Sequence, residues 1–170
     1  RPFFFPEKTT GHLWQTKRMG IWLIAVIQRV KSGSVTVNEK VIGQIDHGFV
    51  ILLGVTDTDE ETDANYIADK IVHLRAFNDE NKKMNFSIQD VSGSTLVISQ
   101  FTLCGDTRKG RRPSFIHAAH PEKGIVLYVY FMEKLKEKGV PVESGEFGAM
   151  MNVALVNDGP VTFVLDSNQR

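Results

Sequence analysis

The run Phe49-Val50-Ile51-Leu52-Leu53-Gly54-Val55 constrains this fold more than any other part of the chain. It is apolar throughout, so as a strand it must be covered on both faces, which places it centrally in a sheet. Short β-branched runs recur before it. Leu23–Val30, Ser34–Val37 and Val41–Ile45 read as strands, with turns at Lys31-Ser32-Gly33, Asn38-Glu39-Lys40 and Asp46-His47-Gly48.

Two helices are predicted. The first runs from about Glu60 to Leu74: Thr58, Asp59, Glu60 and Glu61 supply an N-cap and an acidic first turn, and Ile67, Ile71 and Leu74 share a face. The second follows Pro121, with Tyr128, Phe131, Met132 and Leu135 at helical spacing and Gly139 and Pro141 closing it. Between them, Asn85–Ile88 and Thr95–Leu103 are expected to pair through the Asp90–Gly93 turn. Strands at Val140–Glu143, Ala149–Val156 and Val161–Leu165 complete the pattern, the last two flanking a turn at Asn157-Asp158-Gly159-Pro160. The expected class is α+β, with a curved, barrel-like, mostly antiparallel or mixed sheet and two main helices.

A length of 170 residues fits one domain. Residues 1–22 lack a sustained period and the order of a signal peptide, and are set apart as an N-terminal extension or an expression remnant. On this reading the natural start falls at Leu23 or Met19, the domain spans 23–166, and 167–170 form a tail. Lys plus Arg equals Asp plus Glu at 20 each, so nucleic acid contact requires a local patch. The single cysteine, Cys104, excludes an intramolecular disulfide, and no apolar run approaches the roughly 20 residues of a membrane span. The expected location is the cytoplasm.

Several constellations could carry chemistry. Val97-Ile98-Ser99-Gln100-Phe101-Thr102-Leu103 is a strand whose apolar run turns polar at its end, where sites are commonly built. Ser99 and Thr102 are conceivable nucleophiles, but no neighbouring base is identifiable, and hydroxyls bonded to local backbone explain them equally well. Arg108, Lys109, Arg111 and Arg112 crowd one loop. Gly105 and Gly110 have Walker-like spacing, but Arg111-Arg112 stands where Lys then Ser or Thr is required, so the loop is either a local phosphate site or plain solvated charge. His47, His73, His117 and His120 have no ligand spacing, and neither metal nor cofactor is expected. Cys104 reads as a buried structural thiol.

Taken together, LIAVIQRV, ISQFTL, KGRRPSF and GEFGAMMNVALVNDGPVTFVLD resemble the D-aminoacyl-tRNA deacylases, also called D-tyrosyl-tRNA deacylases, from about Leu23 to Asp166. The paired S-Q-F-T and N-x-G-P-V-T motifs are the most specific part of that resemblance. It implies a homodimer, without metal or membrane attachment, that hydrolyses the ester joining a D-amino acid to the 3′ end of tRNA. It further implies action on glycine mischarged on tRNA.

In that family the Gly-Pro peptide is cis and reaches into the partner subunit's site, where its carbonyls exclude an L side chain. The resemblance assigns this role to Gly159 and Pro160. It places Ser99, Gln100, Phe101 and Thr102 around the ester and the terminal ribose, Arg29 beside the Gly-Pro element, and Phe147, Gly148 and Ala149 near the adenosine. Backbone amides of Ser99–Thr102 suit an oxyanion, and water assisted by the ribose 2′-hydroxyl is a more economical attacking group than Thr102. The alternatives are a nucleic-acid-binding dimer without hydrolysis and a hydrolase of other small acyl esters.

Overall fold

The computed structural model describes residues 22–169, so the expected extension lies, apart from Trp22, outside the described residues. A long strand, β1 (Ile24–Val37), is the axis of the sheet. One edge pairs with β2 (Lys40–Ile45) near its end and with β3 (Gly48–Gly54) near its start; the other edge pairs with β8 (Asn152–Asp166), and all three pairings are antiparallel. Beyond β3 lie β6 (Ser94–Ser99) and β7 (Val142–Ser144), both joined in parallel. A two-stranded ribbon, β4 (Phe77–Asn78) with β5 (Met84–Phe86), stands apart. The sheet curls until β2 approaches β7, so closely that a Cβ on Gly43 would sit 2.6 Å from the Ser144 carbonyl oxygen. The barrel is nearly closed, and the sheet is mixed.

β3 is covered on both faces, as its sequence demands. Phe49, Ile51 and Leu53 pack against Ile67 and Ile71 of α1 (Glu61–His73) and Leu127, Phe131 and Leu135 of α2 (Pro121–Glu137). Val50 points the other way, into a second core with Val30, Val35, Ile45, Leu96 and Ile98 inside the curl. Full burial of each such side chain contributes about 1.5–3 kcal/mol. Both helices lie close to their expected bounds. The α1 start falls at Glu60, whose amide donates to Asp63 Oδ2 at 2.9 Å, while Asp59 turns inward to accept the amides of Leu23 and Thr56. No helix among the described residues is long and apolar enough to cross a membrane.

Three expectations are corrected. Lys31-Ser32-Gly33 is no turn: β1 runs through it because Gly33 pairs with Ile45 on one side and Leu155 on the other. Asn85–Ile88 does not pair with Thr95–Leu103, since both edges of β6 are taken by β3 and β7, and β6 ends at Ser99. Asn157-Asp158-Gly159-Pro160 is not a hairpin turn either. β8 continues along the same edge of β1 on both sides of it, with Asn157 opposite Val30 and Thr162 opposite Gln28. Asp158–Val161 are the surplus of a large bulge facing Arg29.

Candidate active site

Because β3, β6 and β7 run parallel, their C-terminal ends share one end of the sheet. β6 stops at Ser99, and Phe101–Cys104 form one turn of 3-10 helix. The Gln100 amide is still tied to the sheet, donating to the Leu53 carbonyl at 2.8 Å. The amides of Phe101 and Thr102, first in that turn, have no acceptor within the helix. Ser99 and Gln100 are half-buried; Phe101 and Thr102 are exposed. The Thr102 hydroxyl accepts from Gln100 Nε2, a carboxamide nitrogen that cannot take up a proton. Cys104 is fully buried, with burial pushing its thiol up to about 11, which leaves it neutral at pH 7.

Phe147, Gly148 and Ala149 emerge at the same end. Ser144 pairs with Val97, and the Gly145 amide donates to the Val97 carbonyl at 3.2 Å, so the segment leaves the sheet beside the last residues of β6. The half-buried Phe147 ring lies 5.8 Å from that of Tyr128, and a Cβ on Gly124 of α2 would meet it at 3.1 Å. Tyr128 in turn donates its hydroxyl to the Val97 carbonyl at 2.8 Å, and burial pushes its phenol up to about 12. Gly148 has φ +79° and an open surround.

The bulge is a separate construction. Its Gly159–Pro160 peptide is cis, and both residues are exposed. Gly159 has φ +145°, and a Cβ there would meet Val161 Cγ2 at 2.7 Å, so only glycine fits without a shift. Beneath it lies Arg29, only 6% exposed. Its Nε donates to the Asp158 carbonyl at 2.9 Å and faces the Asp158 carboxylate at 3.6 Å; Nη1 donates to the Ala76 carbonyl at 2.7 Å and to Asn78 Oδ1 at 3.3 Å. Asn157 closes the bulge from the other side, accepting the Val161 amide at 2.7 Å and donating to the Val161 carbonyl at 3.3 Å.

Sequence reasoning overlooked Asn157, Ala76 and Asn78. The first was read as a turn former, and the other two carry no motif. The available signal was that an Asn side chain readily bonds backbone a few residues on, which serves a bulge as well as a turn.

Arg29 and Gly159 are thus brought together, whereas Ser99–Thr102 and the bulge are not. Ser99 lies level with Leu53, Ala25 and Leu165, but the bulge lies level with Arg29, Phe49 and Thr95. Three strand spacings across and four residues along give roughly 14 Å and roughly 13 Å, or about 20 Å over the sheet. Among the described residues no group of three or more metal-ligating side chains converges.

The sequence profile described as D-Tyr-tRNA(Tyr) deacylase matches residues 26–166. The chain belongs to that family. Its members include the D-aminoacyl-tRNA deacylases, which are ester hydrolases. That of Thermus aquaticus is 58% identical over 146 residues, covering 86% of this chain and 96% of the relative. That of Clostridioides difficile is 57% identical over 145 residues, covering 85% and 97%. A solved structure named c-Myc DNA Unwinding Element Binding Protein has a TM-score of 0.80 at 38% identity, covering 84% of this chain and 97% of its own. A probable eukaryotic D-amino acid tRNA deacylase shares the fold, with a TM-score of 0.73 at 18% identity, covering 85% and 98%.

Proposed function

We propose that this chain hydrolyses the ester joining a D-amino acid, or glycine, to the 3′-terminal adenosine of tRNA, in a site completed by a second copy of the chain. The observation that carries this reading is that the two motifs sit at different levels of the sheet, the bulge level with Thr95 and the other motif starting at Ser99, four residues further along β6. Gly159 and Pro160 stand exposed on β8, three strands across the sheet from the Ser99–Thr102 end of their own chain. A second copy seated along β8 brings its own Ser99–Thr102 to the bulge. The apolar side chains Val153 and Val164, the latter 65% exposed, supply a surface for that contact.

In the assembled site the amides of Phe101 and Thr102 hold the carbonyl oxygen as it becomes an oxyanion, a contribution of about 3–4 kcal/mol per donor. Water, oriented by the ribose 2′-hydroxyl, attacks the carbonyl carbon; the bond to the 3′-oxygen breaks, and that oxygen leaves protonated. Thr102 positions Gln100 and does not attack. Phe147, with Gly148 and Ala149, packs against the adenine, its ring already oriented by Tyr128.

The partner's Gly159 and Pro160 carbonyls form a wall at the Cα of the aminoacyl group. A hydrophobic pocket separates similar side chains by only about 1–3 kcal/mol, so a site that accepts many D-residues gains more from a wall at Cα. An L side chain meets the wall, a D side chain points away, and glycine passes because it has none.

Turnover of matched D-, L- and glycyl-tRNA tests the reading. Hydrolysis of the D- and glycyl-esters with the L-ester spared is the expected result; equal hydrolysis of all three, or none, contradicts it. A second reading, a nucleic-acid-binding dimer without hydrolysis, draws on the 38%-identical structure named for binding a DNA unwinding element. It predicts salt-sensitive binding of uncharged nucleic acid and no ester cleavage.

A further inference from the structure

We infer that the tip of the Asp106–Ser114 loop is a phosphate-binding surface for the backbone of the RNA substrate, carried by Lys109, Arg111 and Arg112. The nature of the partner rests on the tRNA reading above; the surface itself rests on charge and placement.

The four cations of this loop are not equivalent. Arg108 is consumed internally: its Nε and Nη2 donate to the Asp106 carboxylate at 2.8 and 2.6 Å, and its amide donates to the same carboxylate at 3.0 Å. That brace is joined by backbone bonds in both directions between Asp106 and Ser114, at 2.8 and 2.9 Å. Lys109, Arg111 and Arg112 are exposed and have no acidic partner among the described residues. Gly110 between them has φ +70° and nothing within 4 Å of its Cβ direction, so the tip stands open.

The outer face of α2 and its end give the contrast. Lys134, Lys136 and Lys138 form an equally dense group, but each is matched by a carboxylate: Glu137 at 2.8 Å, Glu133 at 2.9 Å and Asp69 at 3.0 Å. The loop tip therefore holds three cations within four residues that lack a carboxylate partner among the described residues.

Placement selects the ligand. The loop leaves directly from the 3-10 turn, and Phe115 at its base packs edge-on against Phe101, ring centres 5.1 Å apart. A polyanion whose 3′ end reaches Phe101 and Thr102 runs next to this tip. Exposed, uncompensated Lys and Arg beside an RNA terminus meet phosphates, which position the strand without reading its sequence.

The test is the salt dependence of binding to uncharged tRNA, measured for the full chain, for K109Q/R111Q/R112Q and for K134Q/K136Q/K138Q. Loss of three phosphate contacts should flatten the log–log slope by about 2 to 3, so that between 50 and 200 mM salt the parent loses roughly 20- to 40-fold more affinity than the loop variant. The α2 variant should follow the parent. A loop variant with the parent's slope, or an α2 variant that flattens as much, overturns the inference. The two readings fail separately. A parent that binds tRNA through these cations but cleaves no D-aminoacyl ester removes the enzymatic reading and leaves this surface standing.

Discussion

The end of β6 and the bulge of β8 are both short polar interruptions of strands, yet they are held in opposite ways. Ser99–Thr102 inherits its position from the core. β6 is locked between β3 and β7, the Gln100 amide is bonded to Leu53, and what remains exposed is mainly backbone at the start of a helical turn. The bulge has no such frame, because Asp158–Val161 have no partners on β1. Side chains hold it: Arg29 from below and Asn157 from within. The first element is a floor and the second a tool held out from an edge. Under the proposed function, substitutions should therefore separate rate, which that reading assigns to the floor, from chiral discrimination, which it assigns to the tool.

The sharpest break is Phe101→Pro. Proline is tolerated at the first position of a helical turn and removes a single amide, so kcat should fall about 10²- to 10³-fold, with Phe101→Ala losing less than 10-fold in the same single-turnover assay. Next is Gly159→Ala, where the added Cβ meets Val161 at 2.7 Å at a φ that L-residues avoid. The D-to-L ratio of kcat/KM should drop roughly 10- to 100-fold while D-ester turnover largely survives, since a displacement of about 1 Å is enough to lose the wall.

Arg29→Leu should lower unfolding free energy by about 2–3 kcal/mol in urea titration, because it deprives the Ala76 and Asp158 carbonyls of a charged donor. Asn157→Ala should cost about 1 kcal/mol and erode discrimination in the same direction. The smallest effect belongs to Thr102→Ala, with hydrolysis within about 10-fold of the parent if Thr102 positions its neighbour and does not attack. Complete loss with folding intact would make it a nucleophile after all.

How much of this was legible beforehand follows the same division. The apolar run Phe49–Val55 announces a strand covered on both faces, and both cores indeed meet on β3. The caps and apolar spacing of α1 and α2 are local signals, and the helices fall where those signals point. Thr95–Ser99 is likewise an apolar run that ends in polar residues, so the floor could be read from its own residues. Its partners could not, because parallel pairing with β3 and β7 leaves no trace in neighbouring sequence. The bulge was misread for a related reason. Asn-Asp-Gly-Pro has turn chemistry, and only the continued pairing of β8 along β1 distinguishes a bulge from a hairpin. Nor does spacing reveal that Arg29 reaches Ala76 and Asn78, some 47 and 49 residues on.

The account stands most directly on the claim that one site draws on two copies of the chain. Two differently tagged chains, one carrying Gly159→Ala and the other Phe101→Pro, can be co-purified as a mixed dimer and assayed on D- and L-aminoacyl-tRNA. In a shared site the intact floor of the first chain meets the intact bulge of the second, so the mixed dimer should hydrolyse the D-ester and spare the L-ester. If it instead hydrolyses both alike, as the Gly159→Ala chain does alone, each floor is served by its own bulge and the central claim is wrong.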